Sequence, residues 1–184
     1  KQIVGGSFDK TVKVWDAETG QLILTLEGHT YSVTSVAFSP DGKRIVSGSA
    51  ELKIWDAETG QEIFTLEGHT SGVTSMAFSP NGRWIVSGGT KEKTWDFGEK
   101  ISGYEGEIIV WDVATGAKAF ILKGQRGNVS SLAFSPDGTR IASGSNRVSE
   151  IAIQLLGVEE QVKTREDLMN SIMPIRLWDV SPFM

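Results

Sequence analysis

The strongest constraint on the fold is a long phrase that occurs twice. The segment from Gly28 to Ser49, GHTYSVTSVAFSPDGKRIVSGS, returns almost unchanged from Gly68 to Gly89 as GHTSGVTSMAFSPNGRWIVSGG. Repetition at a fixed interval indicates a structural unit that cannot bury its apolar face alone and must pack against its neighbours. We therefore expect the chain to fold as an array of similar units.

Two shorter landmarks extend the repeat over most of the chain. The tripeptide Phe-Ser-Pro begins at Phe38, at Phe78 and at Phe134. The dipeptide Trp-Asp marks the other end of each unit, at Trp15, Trp55, Trp111 and Trp178, with an additional copy at Trp95. These positions predict a single domain, 1–184, made of four repeats at approximately 1–28, 29–68, 69–124 and 125–184.

The local pattern within one unit predicts four short strands. Ser32–Phe38 alternates polar and apolar residues and ends at a Ser-Pro-Asp-Gly turn, as a half-buried strand does. Three more strands are predicted by Ile45–Val46, Leu52–Trp55 and Ile63–Leu66, which are separated by turn residues. We therefore expect an all-β fold.

The repeated phrases carry a family resemblance. A Gly-His pair near the start of a unit, a Trp-Asp pair near its end and a basic period near 40 residues make the chain similar to the WD-repeat family of β-propellers. The resemblance covers residues 1–145 and 174–180. It implies blades of four antiparallel strands that run from the ring axis outwards.

Composition narrows the possible functions. Of the 184 residues, 39% are hydrophobic and 22% are charged, as in an ordinary globular domain. The net charge of -5, without a Lys/Arg cluster, argues against a nucleic-acid partner. The sequence has no 18-residue apolar run and no signal peptide, so we expect no membrane partner and no export. The absence of cysteine excludes thiolate chemistry and fits a cytoplasmic protein. We also expect no cofactor.

The family resemblance assigns the most distinctive polar residues to a structural network. In that network a histidine before the inner strand, a serine on the second strand, an aspartate in the next turn and the tryptophan of the third strand are hydrogen-bonded. The matching residues here are Asp9 and Trp15; His29, Ser47 and Trp55; His69, Ser87 and Trp111; and Ser143 and Trp178. A hydrolase triad occurs once per active site, whereas this set recurs, so we predict no catalytic residue. Two histidines without a third ligand predict no metal site.

We expect the network to be incomplete in every repeat. Gly5 stands at the serine position of the first repeat, and Gln125 stands at the histidine position of the fourth. The connection before Trp55 is two residues shorter than the connection before Trp15, which removes the turn aspartate. The third and fourth repeats instead contain insertions, at 91–105 and 146–173.

The first insertion contains the additional Trp-Asp pair. Lys91–Thr94 offers no apolar strand before Trp95, whereas Ile108–Val110 leads directly into Trp111. We therefore assign Trp111 to the blade and predict that 91–105 is a loop. Its aromatic residues either cover the blade or contact a partner, and they are Trp95, Phe97 and Tyr104.

The second insertion changes its periodicity. Glu150–Leu156 suits an extended strand, and after Gly157 the apolar residues follow helical spacing up to Pro174. We predict one helix here, near the C-terminus. It either packs on its own blade as a lid or docks against another chain.

The strand count predicts an open arc of about four blades. The chain supplies three strands of a first blade, two complete blades and three strands of a last blade. Propellers close into rings because closure protects the strand edges. We expect two copies to complete a ring as a homodimer, with eight blades, or with six if terminal strands interleave. The alternative is a fragment or splice product of a larger repeat protein with no independent function.

The expected function is a protein-protein interaction scaffold whose partner is unknown. At the rim of the Gly-His loops we expect partner contacts from Phe8, Tyr31, Arg126 and Asn128, joined by Trp95 and Tyr104. An enzyme with a site in the central channel would need a cluster of ionisable groups there, which the sequence does not indicate. A ligand- or glycan-binding propeller would need equivalent aromatic residues in each repeat, but Tyr31 corresponds to Ser71 and Gly127.

Overall fold

The computed structural model of the chain describes residues 1–96, 100–145 and 175–183. Within these ranges the backbone forms fourteen β-strands and a short 3-10 helix, Ser181–Phe183. The strands are β1 (Gln2–Gly6), β2 (Val12–Asp16), β3 (Leu22–Leu26), β4 (Ser35–Phe38), β5 (Arg44–Gly48), β6 (Leu52–Asp56), β7 (Glu62–Leu66), β8 (Val73–Phe78), β9 (Trp84–Asp96), β10 (Lys100–Asp112), β11 (Lys118–Arg126), β12 (Val129–Phe134), β13 (Arg140–Ser145) and β14 (Ile175–Asp179). The predicted all-β fold is confirmed, and the helix predicted within 146–173 lies outside the described residues.

The strands form four antiparallel sheets, which we call blades 1 to 4 in chain order. Blade 1 has the strand order β1-β2-β3 and blade 4 the order β12-β13-β14, while blades 2 and 3 have four strands each, β4 to β7 and β8 to β11. In every blade the register places the tryptophan of Trp-Asp opposite an isoleucine. The pairs are Trp15 with Ile3, Trp55 with Ile45, Trp111 with Ile85 and Trp178 with Ile141. This shared register allows equivalent positions to be compared between blades.

Polar turns end the strands. Asp56 Oδ1 accepts hydrogen bonds from the backbone amides of Glu58, at 3.0 Å, and Thr59, at 2.7 Å. Gly60 completes this turn with a φ of +74°, which side chains with a Cβ rarely adopt. The aspartate of each Trp-Asp pair thus closes the turn that follows its strand, and Asp16, Asp112 and Asp179 accept equivalent bonds.

The apolar core lies between neighbouring blades. At each junction, two apolar residues from the tryptophan-bearing strand of one blade pack with the isoleucine and tryptophan of the next blade. The sets are Val12 and Val14 with Ile45 and Trp55; Leu52 and Ile54 with Ile85 and Trp111; and Ile108 and Val110 with Ile141 and Trp178. Each blade therefore depends on its neighbour to bury its apolar residues.

Residues 91–96 and 100–105 differ from the predicted loop. Strands β9 and β10 continue past the length of the other strands as an antiparallel ladder, in which Thr90 pairs with Gly106 and Asp96 pairs with Lys100. The prediction was wrong because it required an apolar alternation, whereas paired strands need only the backbone hydrogen bonds of the ladder. The same register places Trp111, rather than Trp95, opposite Ile85.

Candidate functional site

In blades 2 and 3, a histidine, a serine and a tryptophan are joined by hydrogen bonds. His29 Nε2 lies 2.6 Å from Ser47 Oγ, which also accepts a hydrogen bond from Trp55 Nε1 at 2.7 Å. In blade 3 both distances are 2.7 Å, and the residues are His69, Ser87 and Trp111. The serine is fully buried in each blade. One hydroxyl thus ties together the loop before the first strand, the second strand and the third strand.

A glutamate completes the network in both blades. Glu51 Oε1 lies 2.9 Å from His29 Nδ1, and Glu107 Oε2 lies 3.1 Å from His69 Nδ1. The expected loss of the turn aspartate in the second repeat therefore does not leave His29 without a carboxylate, since Glu51 reaches it from the position before β6, as Glu107 reaches His69 from within β10. Both glutamates stand four residues before the blade tryptophan, and this shared position was the signal available in the sequence.

The chemistry of the donors and acceptors fixes the arrangement of protons. Trp55 Nε1 can only donate, so Ser47 Oγ accepts from it, and when His29 is neutral with its proton on Nδ1, the serine donates its own proton to His29 Nε2. The proton on His29 Nδ1 is then donated to Glu51, a tautomer that we assign from the network. Burial lowers the pKa of His29 against the opposing pull of Glu51. The folded chain therefore holds the neutral imidazole that this network requires.

The same balance operates in blade 3. Burial lowers the pKa of His69, while the negative charge of Glu107 and its hydrogen bond oppose that shift. The side chain of His69 is fully buried, which makes the charged imidazolium costly.

Blade 4 uses glutamine in place of histidine. Ser143 Oγ donates to Gln125 Oε1 at 2.7 Å and accepts from Trp178 Nε1 at 2.9 Å. Gln125 is only 1% exposed. The amide oxygen thus replaces the imidazole nitrogen as the acceptor for serine, with a side chain that does not titrate.

Blade 1 departs further from the pattern because Gly5 has no side chain. A Cβ added there would lie 3.0 Å from the ring of Trp15. Asp9 instead organises the exposed turn between β1 and β2, accepting from Lys13 Nζ at 2.9 Å and from the Thr11 amide at 3.0 Å. These hydrogen bonds, the one from Lys13 foremost, hold the pKa of Asp9 well below its usual range.

The surroundings of the network suit support of the blade better than catalysis. Ser47, Ser87 and Ser143 all have 0% exposure. Each hydroxyl is already engaged by two partners, whereas a nucleophilic serine must reach a substrate carbonyl. Across the ranges that the structure describes, no group of three potential metal ligands lies close enough to hold an ion.

Two exposed aromatic side chains stand on loops beside the network. Phe8, between β1 and β2, is 91% exposed, and Tyr31, between β3 and β4, is 66% exposed. Ser32 Oγ lies 3.5 Å from the carbonyl oxygen of Phe8, so these loops of blades 1 and 2 are neighbours. We call Phe8 and Tyr31 the aromatic rim.

The other predicted partner residues have different surroundings. Asn128 is partly buried, and its Oδ1 is buried without a hydrogen-bond partner among the residues that the structure describes. The side chains of Trp95, Tyr104 and Arg126 lie outside the described part of the structure. Near the rim, a shallow depression of about 580 Å³ between blades 2 and 3 is lined by Ala50, Glu51, Glu67, Gly68 and His69. Glu51 in this lining lies with its Oε2 3.5 Å from Thr30 Oγ1, so one carboxylate of the depression stands beside the loop that carries Tyr31.

Comparison with known proteins relates the chain to a repeat family. It matches the family described as "WD domain, G-beta repeat" over residues 1–16, 20–56, 60–112 and 116–148, which is most of its length. None of the helices in the described ranges has the length and apolar character needed to cross a membrane.

Curated relatives are similar over about one repeat. The Nuclear distribution protein PAC1 of Mycosarcoma maydis is 47% identical over 24% of this chain and 10% of that protein. The WD40 repeat-containing protein HOS15 of Arabidopsis thaliana is 49% identical over 23% of this chain and 7% of that protein. The F-box-like/WD repeat-containing protein TBL1X of Mus musculus is 56% identical over 22% of this chain and 8% of that protein. The matched regions thus span a tenth or less of these relatives.

Proposed function

Because the chain belongs to the WD-repeat family, we propose that it is a non-catalytic scaffold that binds other proteins through the loop face of its blades. The observation that carries this proposal is the aromatic rim, in which Phe8 is 91% and Tyr31 is 66% exposed on adjacent loops. Aromatic residues of this kind often dominate the binding energy of protein interfaces.

The buried network of blade 2 supports this role by holding the loop of Tyr31 in place. His29 stands two residues before Tyr31 and is bonded to Ser47 and Glu51, so the loop is fastened to the strands of its blade. A loop that is already ordered loses less conformational entropy on binding than a mobile loop. The network therefore serves recognition indirectly, by preorganising the surface above it.

The charge beside the rim suggests the chemistry of the partner. Glu51 and Glu67 line the adjacent depression. A partner segment with an apolar side chain for the rim and a basic side chain for these carboxylates would match both features. We propose a peptide segment of this type as the ligand.

Peptide display on the full chain tests this proposal. Selected peptides should combine apolar and basic residues, and the F8A/Y31A variant should bind them at least about tenfold more weakly, because it removes both aromatic contacts. I63A is the matched control, since it truncates a 38% exposed isoleucine on the outer strand β7. Selected peptides that bind F8A/Y31A as tightly as the wild type would show that the rim is not the binding surface.

We also propose that two copies of the chain complete one ring. Blades 1 and 4 have three strands each, whereas blades 2 and 3 have four. Ring closure is the usual way in which propellers protect strand edges.

We also propose that the protein is cytoplasmic. The subcellular distribution of the tagged full chain would test this location.

A further inference from the structure

Every junction between blades uses the same four positions. We call the strand whose tryptophan pairs with the isoleucine of its blade the tryptophan strand (β2, β6, β10 and β14). At the central junction, Leu52 and Ile54 of the tryptophan strand in blade 2 pack with Ile85 and Trp111 of blade 3. All four side chains are between 0% and 1% exposed. A complete junction therefore removes both halves from water.

In each junction, one blade contributes two apolar residues of its tryptophan strand, and the next blade contributes an isoleucine and a tryptophan. Blade 4 has the first of these pairs, without a following blade among the described residues. Ile175 and Leu177 of β14 stand at the positions of Leu52 and Ile54, three residues and one residue before the tryptophan. They are 65% and 63% exposed. Blade 4 thus has two aliphatic side chains more than half exposed at positions that are buried at every internal junction.

Blade 1 carries the complementary half. Ile3 pairs with Trp15 as Ile45 pairs with Trp55. Ile45 and Trp55 are 0% and 2% exposed, because Val12 and Val14 of blade 1 cover them. Ile3 is 55% exposed, and Trp15 is only partly buried. Blades 1 and 4 therefore present the two different faces that meet at the internal junctions.

We infer that these faces form a fourth junction between two copies of the chain, with Ile3 and Trp15 of one copy packed on Ile175 and Leu177 of the other. The inference rests on the proposed completion of a ring and names the contact surface. Because the two faces differ, the contact runs head to tail, and a closed ring of two copies contains it twice. With four sheets per chain, such a ring has eight blades, and no terminal strands interleave.

Substitution at each face and mixing of the variants tests this arrangement. L177K places a charge on the blade 4 face, and I3E places the opposite charge on the blade 1 face. Each variant alone disrupts both contacts of the ring, so its self-association should weaken at least about tenfold relative to the wild type. In an equimolar mixture of L177K and I3E, a mixed pair contains one chain of each variant. One of its contacts joins two unmodified faces, and the other joins the introduced lysine to the introduced glutamate, so mixed pairs should form.

Native mass spectrometry of chains with tags of different mass identifies these species. I121K is the matched control, since Ile121 is 47% exposed on the outer strand β11, away from both faces. It should associate as the wild type does. Far-ultraviolet circular dichroism would verify that every variant is folded.

Two results would overturn the inference, and they are distinguishable. If the wild type forms pairs but L177K and I3E pair as well as I121K does, the ring is completed through another surface. If the wild type itself is a single chain, both the ring and this junction are excluded. The scaffold proposal is tested separately, by peptide binding at the aromatic rim.

Discussion

His29 and His69 are the residues whose chemistry most depends on the fold. Both are kept neutral by burial, although a glutamate oxygen lies 2.9 Å from His29 and 3.1 Å from His69. Gln125 shows that the same position also works with a side chain that never titrates. Histidine at this position therefore adds a dependence on pH that glutamine does not.

We expect the free energy of unfolding to decrease as the pH falls below about 6.5, the ordinary pKa of histidine. Below that pH the unfolded chain gains protons at histidine, while the folded chain, with its lowered pKa values, does not. The stabilisation by the two neutral histidines is thus fully present above the ordinary pKa. As the pH falls from that value toward the lowered pKa of the folded chain, the stabilisation is lost, at up to about 1.4 kcal/mol per pH unit for each histidine. Urea unfolding over this pH range measures the slope.

The H29Q/H69Q variant is the control for this prediction, because it copies the arrangement that Gln125 has in blade 4. It should keep an acceptor for each serine, and its free energy of unfolding should depend less on pH.

Other charged groups surround both histidines. The charged neighbours of His29 are Glu51, Lys53 and Glu62, and those of His69 are Glu107 and Lys118. Aspartates with a lowered pKa, such as Asp137 at about 2, titrate below this range. Equal slopes for both proteins would contradict the neutral assignment.

Sequence reasoning identified the histidines, serines and tryptophans of the network but missed its carboxylates. The predicted network has an aspartate in the turn after the second strand. In the second repeat this turn is two residues shorter and contains no aspartate. Glu51 and Glu107 reach the same histidine nitrogen from a different backbone position. Aspartate and glutamate differ in length, but from different backbone positions both can place a carboxylate oxygen beside the histidine Nδ1. A motif that requires aspartate at a fixed spacing therefore does not detect the glutamate.

At the scale of strands, glycines set how closely neighbouring blades approach. A Cβ added to Gly88 on β9 would lie 2.4 Å from Val129 Cγ1 and 2.8 Å from Leu132 Cδ1 of blade 4. Gly48 has the same relation to Val73 and Met76 at the preceding junction. The first strand of each following blade therefore rests on a position that has no side chain.

We expect G88A to destabilise the protein by about 1–3 kcal/mol, because the added methyl overpacks the junction. The decrease would appear in urea unfolding. G72A is the control, since its Cβ would lie 3.5 Å from the Ser49 carbonyl oxygen, an ordinary contact. Adding V129A should recover part of the loss caused by G88A, which a double-mutant cycle measures. Additive effects of G88A and V129A would contradict a direct clash.

The elements that follow the repeat could be predicted from the sequence, and those that depart from it could not. Alternation and turn residues indicated the strands that became β5, β6 and β7, because each buries apolar residues in a repeated core. The extension of β9 and β10 carries no such alternation, and only backbone pairing defines it. Periodicity of apolar residues predicts strands that bury one face, so it gives no signal where the sequence does not alternate.

At the scale of the whole molecule, the core lies between blades, and its repeated pattern indicates which surfaces the proposed pairing of two copies would use. Internal junctions cover Leu52 and Ile54, while the equivalent Ile175 and Leu177 stay more than half exposed. Ile3 is more than half exposed at the opposite end. The internal junctions thus bury their apolar residues, and the proposed contact with a second copy would bury those of blades 1 and 4.

The solution mass of the unmodified full chain tests this account most directly. Light scattering on a size-exclusion column, over about a hundredfold range of concentration, reports the number of chains in the particle. One chain has a mass of 20.0 kDa. We predict a particle of twice that mass that persists on dilution, because two head-to-tail junctions must open together before it separates. A mass of 20.0 kDa at every concentration would contradict the account.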